Sequence, residues 1–70
     1  MEAIDFQLNG EYIELIQLLK ATGIAETGGH AKMIVENGLI VRNGEIEFRK
    51  RAKLISGDII VLDDIEITIV

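Results

Sequence analysis

A small α+β domain, with an N-terminal strand, two short helices and a small antiparallel sheet containing a β-hairpin, is the fold class this sequence predicts. Three observations predict it: apolar and polar residues alternate near both chain ends, helical spacing fills the stretch between, and Asn43-Gly44 joins two short segments of strand character. Seventy residues hold a single domain, 1–70, whose core is small, because a chain of this size buries only about 60% of the surface its unfolded form exposes.

Ile4, Phe6 and Leu8 alternate with Asp5 and Gln7, the period of a half-buried strand, and Asn9-Gly10 closes it. Leu15, Ile16, Leu18 and Leu19 fall on one side of a 3.6-residue period, so a helix is predicted over 14–22, with Gly23 as its glycine stop. Thr27 is the N-cap of a second helix, in which Ala31, Ile34 and Val35 keep helical spacing until Asn37-Gly38. Segments 39–42 and 45–48 then flank Asn43-Gly44, the dipeptide that best accepts the two positive φ angles of a type I′ turn.

Beyond the turn, Ile46, Phe48, Ala52 and Leu54 share one parity and are expected to face inward. Glu45, Glu47, Arg49, Arg51 and Lys53 share the other and are expected to face solvent. Lys50 breaks the apolar parity, which fits a bulge, a loop, or a lysine stem lying along the core. Ser56-Gly57-Asp58 is a turn, Ile59–Leu62 a buried strand, and Asp63-Asp64 another turn. Ile65, Ile67 and Ile69 form the inward face of the last strand.

The chain has no cysteine, which excludes a disulfide staple and a thiolate zinc site. Its longest apolar run is four residues, far short of the ~20 a membrane-spanning helix needs, and no basic-then-apolar leader pattern opens it, so a cytoplasmic protein without membrane contact is expected. Catalysis is not expected either: His30 is the single histidine, no nucleophile stands beside it, and no cofactor motif is found.

The net charge of −5 argues against nucleic acid until its distribution is considered. Five of the seven basic residues lie in 42–53 against two acids, a local surplus of +3, while the remainder carries two bases against ten acids. Arg49, Lys50, Arg51 and Lys53 place four cations within five residues, next to a hairpin able to hold them against a phosphate backbone. Thr27-Gly28-Gly29 opens a helix, where free amides and the positive dipole end can receive an anion, although simple turn geometry accounts for the same residues. Three aromatic residues and no tryptophan disfavour a broad base-stacking platform.

The order of these signals resembles the RNA-binding domain of the ribosomal protein S-four type, the alpha-L RNA-binding motif, and in particular its short stand-alone bacterial members. The resemblance covers 12–60 and rests on the first helix, on "TGGHAK", on "ENGLIVRNGE", on "RKRAKL" and on "SGD". Where the broad family often has an arginine after the small polar residue of the helix entry, this chain has Gly28, as the short members do. The resemblance implies that two helices and a hairpin cradle structured RNA, with Thr27, Gly28 and Gly29 at the helix entry and Lys32, Arg42, Arg49, Lys50, Arg51 and Lys53 as RNA-binding residues. Its partner is then structured RNA, commonly ribosomal or transfer RNA; the expectation for this chain is a monomer without cofactors that meets ribosomal RNA and ribosomal proteins. The competing expectation is a small acidic adaptor that docks a protein through its basic strip.

Overall fold

The computed structural model describes residues 2–70. In chain order the elements are β1 (Glu2–Phe6), β2 (Ile13–Glu14), α1 (Leu15–Ala21), α2 (Gly28–Glu36), β3 (Val41–Arg42), β4 (Glu45–Ile46), β5 (Lys53–Leu54), β6 (Ile59–Leu62) and β7 (Ile65–Ile69). The predicted α+β class is observed.

Each helix is bounded by local chemistry. Glu14 precedes α1 in an extended conformation and offers no side-chain cap. The orphan amides of the first turn find partners elsewhere: Leu15 N–H donates to the Ala52 carbonyl and Ile16 N–H to the Lys50 carbonyl, both at 3.0 Å. At the other end the Thr22 hydroxyl donates to the Leu18 carbonyl at 2.8 Å, and Gly23 takes φ +80°. Thr27 caps α2 as predicted, its Oγ1 accepting the His30 N–H at 3.0 Å. His30 Nδ1 in turn accepts the Glu26 N–H at 3.3 Å, so the single histidine completes a reciprocal cap.

Five strands form a mixed sheet in the order β1-β7-β6-β3-β4. Four of them are antiparallel neighbours, while β1 joins the edge parallel to β7, with Ile4 opposite Ile67 and Phe6 opposite Ile69. A second, two-stranded sheet pairs Ile13 with Leu54 and Glu14 with Lys53. Leu15, Leu18 and Leu19 of α1 and Ala31, Ile34 and Val35 of α2 share one core with Ile40, Ala52, Leu54, Ile60, Ile67 and Ile69. No helix of the described residues is long and apolar enough to cross a membrane.

The structure corrects the parity expected after the hairpin. Ile46 and Phe48 are exposed and Glu47 is buried, whereas Ala52 and Leu54 do face inward. The reason is that strand geometry stops at Ile46 and resumes only at Lys53, in the other sheet, so parity cannot be carried across residues 47–52. Lys50 lies in a turn within that stretch. Only Ile60 of β6 is fully buried, and Ile59 at its start is 39% exposed, because successive side chains of this central strand point to opposite faces of the sheet and the second face is open to solvent.

The hairpin turn has the expected geometry, with Asn43 at φ +50° and Gly44 at φ +89°. A Cβ on Gly44 meets nothing within 4 Å, so Gly44→Val tests backbone strain alone. It is expected to lower stability by about 1 to 3 kcal/mol, read as a reduced urea midpoint. An unchanged midpoint would show that the turn accepts another geometry at no cost.

Candidate nucleic-acid interface

The basic strip begins at the hairpin turn, and two buried acids set its geometry. Asn43 ties the hairpin to the turn before β6: its Nδ2 donates to Asp58 Oδ1 at 2.9 Å and its Oδ1 accepts the Ile59 N–H at 2.8 Å. Asp58 Oδ2 accepts Arg42 Nη2 at 2.8 Å and the Ile55 N–H at 2.9 Å. The same Arg42 Nη2 donates to the Lys53 carbonyl at 3.0 Å, and Arg42 Nη1 lies 3.4 Å from Glu47 Oε1. Glu47 then grips Arg49, accepting its Nε at 3.0 Å, its Nη2 at 3.1 Å and its backbone N–H at 3.1 Å. A continuous chain thus runs Asn43, Asp58, Arg42, Glu47, Arg49, and among the described residues no buried side-chain nitrogen or oxygen is left without a partner.

The Arg49 guanidinium beside Glu47 outweighs the burial that pushes this carboxyl up and, with the Arg49 amide and Arg42, holds it at about 2 against an ordinary 4.5. Burial pushes the Asp58 carboxyl up as well, but the Ile55 amide, the Asn43 amide and Arg42 together bring it below its ordinary range. Depressed carboxylates stabilise the fold above their unfolded-state pKa and cease to do so as pH falls through the folded value. Stability should therefore decline as pH drops from 4.5 towards about 2, and Glu47→Gln should flatten part of that decline. Urea midpoints measured across the window check this, and a wild-type midpoint constant over it would contradict the assignment.

The loop that follows is fixed by its backbone, leaving its side chains free to point away. Its Lys50 and Ala52 carbonyls cap α1, Ala52 N–H donates to the Arg49 carbonyl at 3.1 Å, and Lys53 enters the pairing with β2. Arg42, Arg49, Arg51, Ala52 and Lys53 line one open cleft of about 460 Å³. Arg42 sits deep, with 21% of its side chain exposed, while 74% of the Arg49 side chain remains accessible. Lys53 Nζ lies 4.9 Å from the centroid of the Tyr12 ring, a cation–π contact on the same rim. Among the described residues Lys50, Arg51 and Lys53 form no ion pair, so their charge is available to a ligand.

Of the residues predicted from sequence, the structure thus brings Arg42, Arg49, Arg51 and Lys53 together. Lys50 belongs to the same loop but does not line the cleft. Lys32 is exposed on α2, opposite the buried Ala31, Ile34 and Val35. Thr27, Gly28 and Gly29 open that helix, where a Cβ on Gly28 meets nothing within 4 Å and one on Gly29 meets only Thr27 Oγ1 at 3.9 Å. Sequence reasoning missed the anchoring roles of Glu47, Asp58 and Asn43. A lone acid between Ile46 and Phe48, two residues before an arginine, was the one signal for Glu47.

Helix pair, hairpin and cationic loop follow one another in the order that the sequence resemblance requires, and the family model described as "S4 domain" matches residues 6–70. The chain belongs to the S4 domain family. Two relatives of this S4 domain are the Escherichia coli (strain K12) protein named "Putative RNA-binding protein YbcJ" and the Shigella flexneri protein named "Uncharacterized protein YbcJ". Each is 39% identical over 46 residues, 66% of this chain and 66% of the relative, so the match spans just under two thirds of the relatives' own length. In this S4 domain Glu47 and Asp58 pair with Arg42 and Arg49, while Lys50, Arg51 and Lys53 form no ion pair among the described residues.

Proposed function

We infer that the protein is a non-catalytic RNA-binding module that recognises structured RNA, ribosomal or ribosome-associated, through phosphate contacts. One observation carries this reading: Arg49, Arg51 and Lys53 converge with Arg42 on a single open cleft in an S4 domain, and the polypeptide beneath them is rigidly held. Such a cleft suits a duplex backbone, since A-form RNA offers phosphates and 2′-hydroxyls more readily than base edges. Arg42, already bonded to two carboxylates, acts mainly as the strut that sets the cleft wall. Lys50 and the exposed Lys32 extend the cationic surface, and the open space above Gly28 and Gly29 suits close approach of a phosphate to the start of α2. The name of the Escherichia coli relative points the same way. In this reading the protein works in the cytoplasm as a monomer, on ribosomal RNA or beside ribosomal proteins.

The competing reading is an adaptor that docks an acidic protein partner through the same basic strip. A salt-series titration against a structured ribosomal RNA fragment separates the two. The expected result is binding whose log affinity falls linearly with log salt, with a slope near −2 to −4 for about three to five neutralised phosphates. No measurable binding at low salt, together with nuclease-resistant copurification of a single protein, would replace the RNA reading with the adaptor.

A further inference from the structure

The exposure of Phe48 is unaccounted for by the phosphate-binding cleft. Of the three aromatic rings, Phe6 packs against the core, Tyr12 carries the Lys53 ammonium over it, and Phe48 stands 61% exposed. A single exposed apolar residue needs no explanation, but this one is held in place. Its ring rests on Gly38, where a Cβ would lie 3.2 Å from Phe48 Cε1 and 3.6 Å from Cζ, a tight contact from which the ring would have to shift slightly. Ile46 Cγ2 comes within 3.9 Å of the same point, so ring, isoleucine and glycine form one continuous surface.

The backbone on either side of the ring is pinned. Glu47 N–H donates to the Ile40 carbonyl at 2.9 Å, and Arg49 N–H donates to Glu47 Oε2 at 3.1 Å. Glu47 is buried while its neighbour Phe48 is exposed. The surface borders charges of both signs: Ile46 lines a hollow of about 330 Å³ together with Arg42, Asn43, Glu45, Glu47 and Arg49, where Glu47 pairs with both arginines, and the Arg49 guanidinium, 74% of its side chain exposed, follows Phe48 directly. An apolar π face fixed beside guanidinium groups matches the two halves of one nucleotide, base and phosphate. A ring and an isoleucine alone fall far below the roughly 800 Å² per side of a standard protein interface.

We propose that Phe48 is a stacking platform for one unpaired nucleobase, seated on Gly38 and placed beside the cleft that takes the phosphates. This rests on the RNA-binding reading and adds to it a preference: structured RNA with a bulged or looped-out base is favoured over an uninterrupted duplex.

The test uses two RNA hairpins, one carrying a single bulged 2-aminopurine and the other fully paired, titrated with the whole protein and with Phe48→Leu and Phe48→Trp. Leucine keeps an apolar contact with Gly38 but has no π face, so Phe48→Leu should weaken binding to the bulged hairpin by about 5- to 100-fold and leave the paired hairpin and the salt slope unchanged. Phe48→Trp should retain the preference, and 2-aminopurine fluorescence should be quenched on binding by the wild type and not by Phe48→Leu. Equal affinity of the wild type for both hairpins, or a bulged-hairpin affinity that Phe48→Leu leaves intact, overturns the stacking platform while the cleft stands. Failure to bind either hairpin at low salt overturns the RNA reading together with it.

Discussion

Asp58→Ala is expected to cost about 2 to 4 kcal/mol, a large share of the stability of a domain of this size. The carboxylate is 7% exposed and accepts from three donors at once, Arg42 Nη2, Asn43 Nδ2 and the Ile55 amide. Alanine would leave the Ile55 amide and the Asn43 side-chain amide without their acceptor and take from Arg42 its shorter carboxylate contact, leaving it the Lys53 carbonyl and Glu47. Asp58→Asn should lose less, because one oxygen survives for Arg42 and Ile55 while the new amide meets the Asn43 amide donor to donor. Urea denaturation followed by circular dichroism reads both variants. A midpoint for Asp58→Ala within error of the wild type would mean that the hairpin holds its place without this hub.

The second large effect concerns affinity. In the triple variant Arg49→Gln, Arg51→Gln, Lys53→Gln, length and hydrogen-bonding capacity are kept while three charges leave the cleft. Against a structured RNA, affinity should fall alike for unrelated sequences, and the slope of log affinity against log salt should flatten by about 2, roughly 0.7 to 0.9 for each phosphate that is no longer neutralised. The fold should persist, since Glu47 keeps Arg42 as a partner when Arg49 is removed. A slope identical to that of the wild type would reduce the strip to a solvated face.

Signals that act within a few residues made much of this legible in the sequence. Thr27 and Gly38 bound α2 because a cap and a positive φ depend on the nearest turn, and Asn43-Gly44 specifies its own geometry. The periodicity of Ile65, Ile67 and Ile69 likewise survives, since a strand keeps its alternation while it lasts. What failed was parity across 47–52, where the backbone leaves one sheet for another, and with it the orientation of Phe48 and Glu47. β2 was missed because two residues carry no period, and its pairing with β5 joins Ile13 to Leu54, far along the chain. The cations of the site were legible as a cluster. Their anchoring was not, because Asn43 and Asp58 belong to separate turns and meet only in three dimensions.

The parallel pairing of β1 with β7 also bears on how the chain folds. Glu2 lies opposite Ile65, so this pairing closes a loop that spans nearly the whole chain, whereas the hairpin of β3 and β4 closes over the Asn43-Gly44 turn alone. Loop-closure entropy makes long-range pairing the slow step, and β1 should dock after the helices and the antiparallel strands have formed. It should also be the first strand to open, its amides exchanging with solvent ahead of those in β6 and β7. Because β1 and the hairpin occupy opposite edges of the sheet, transient opening of the first strand leaves the cationic loop undisturbed. Local breathing is thereby confined to the end of the sheet away from the hairpin.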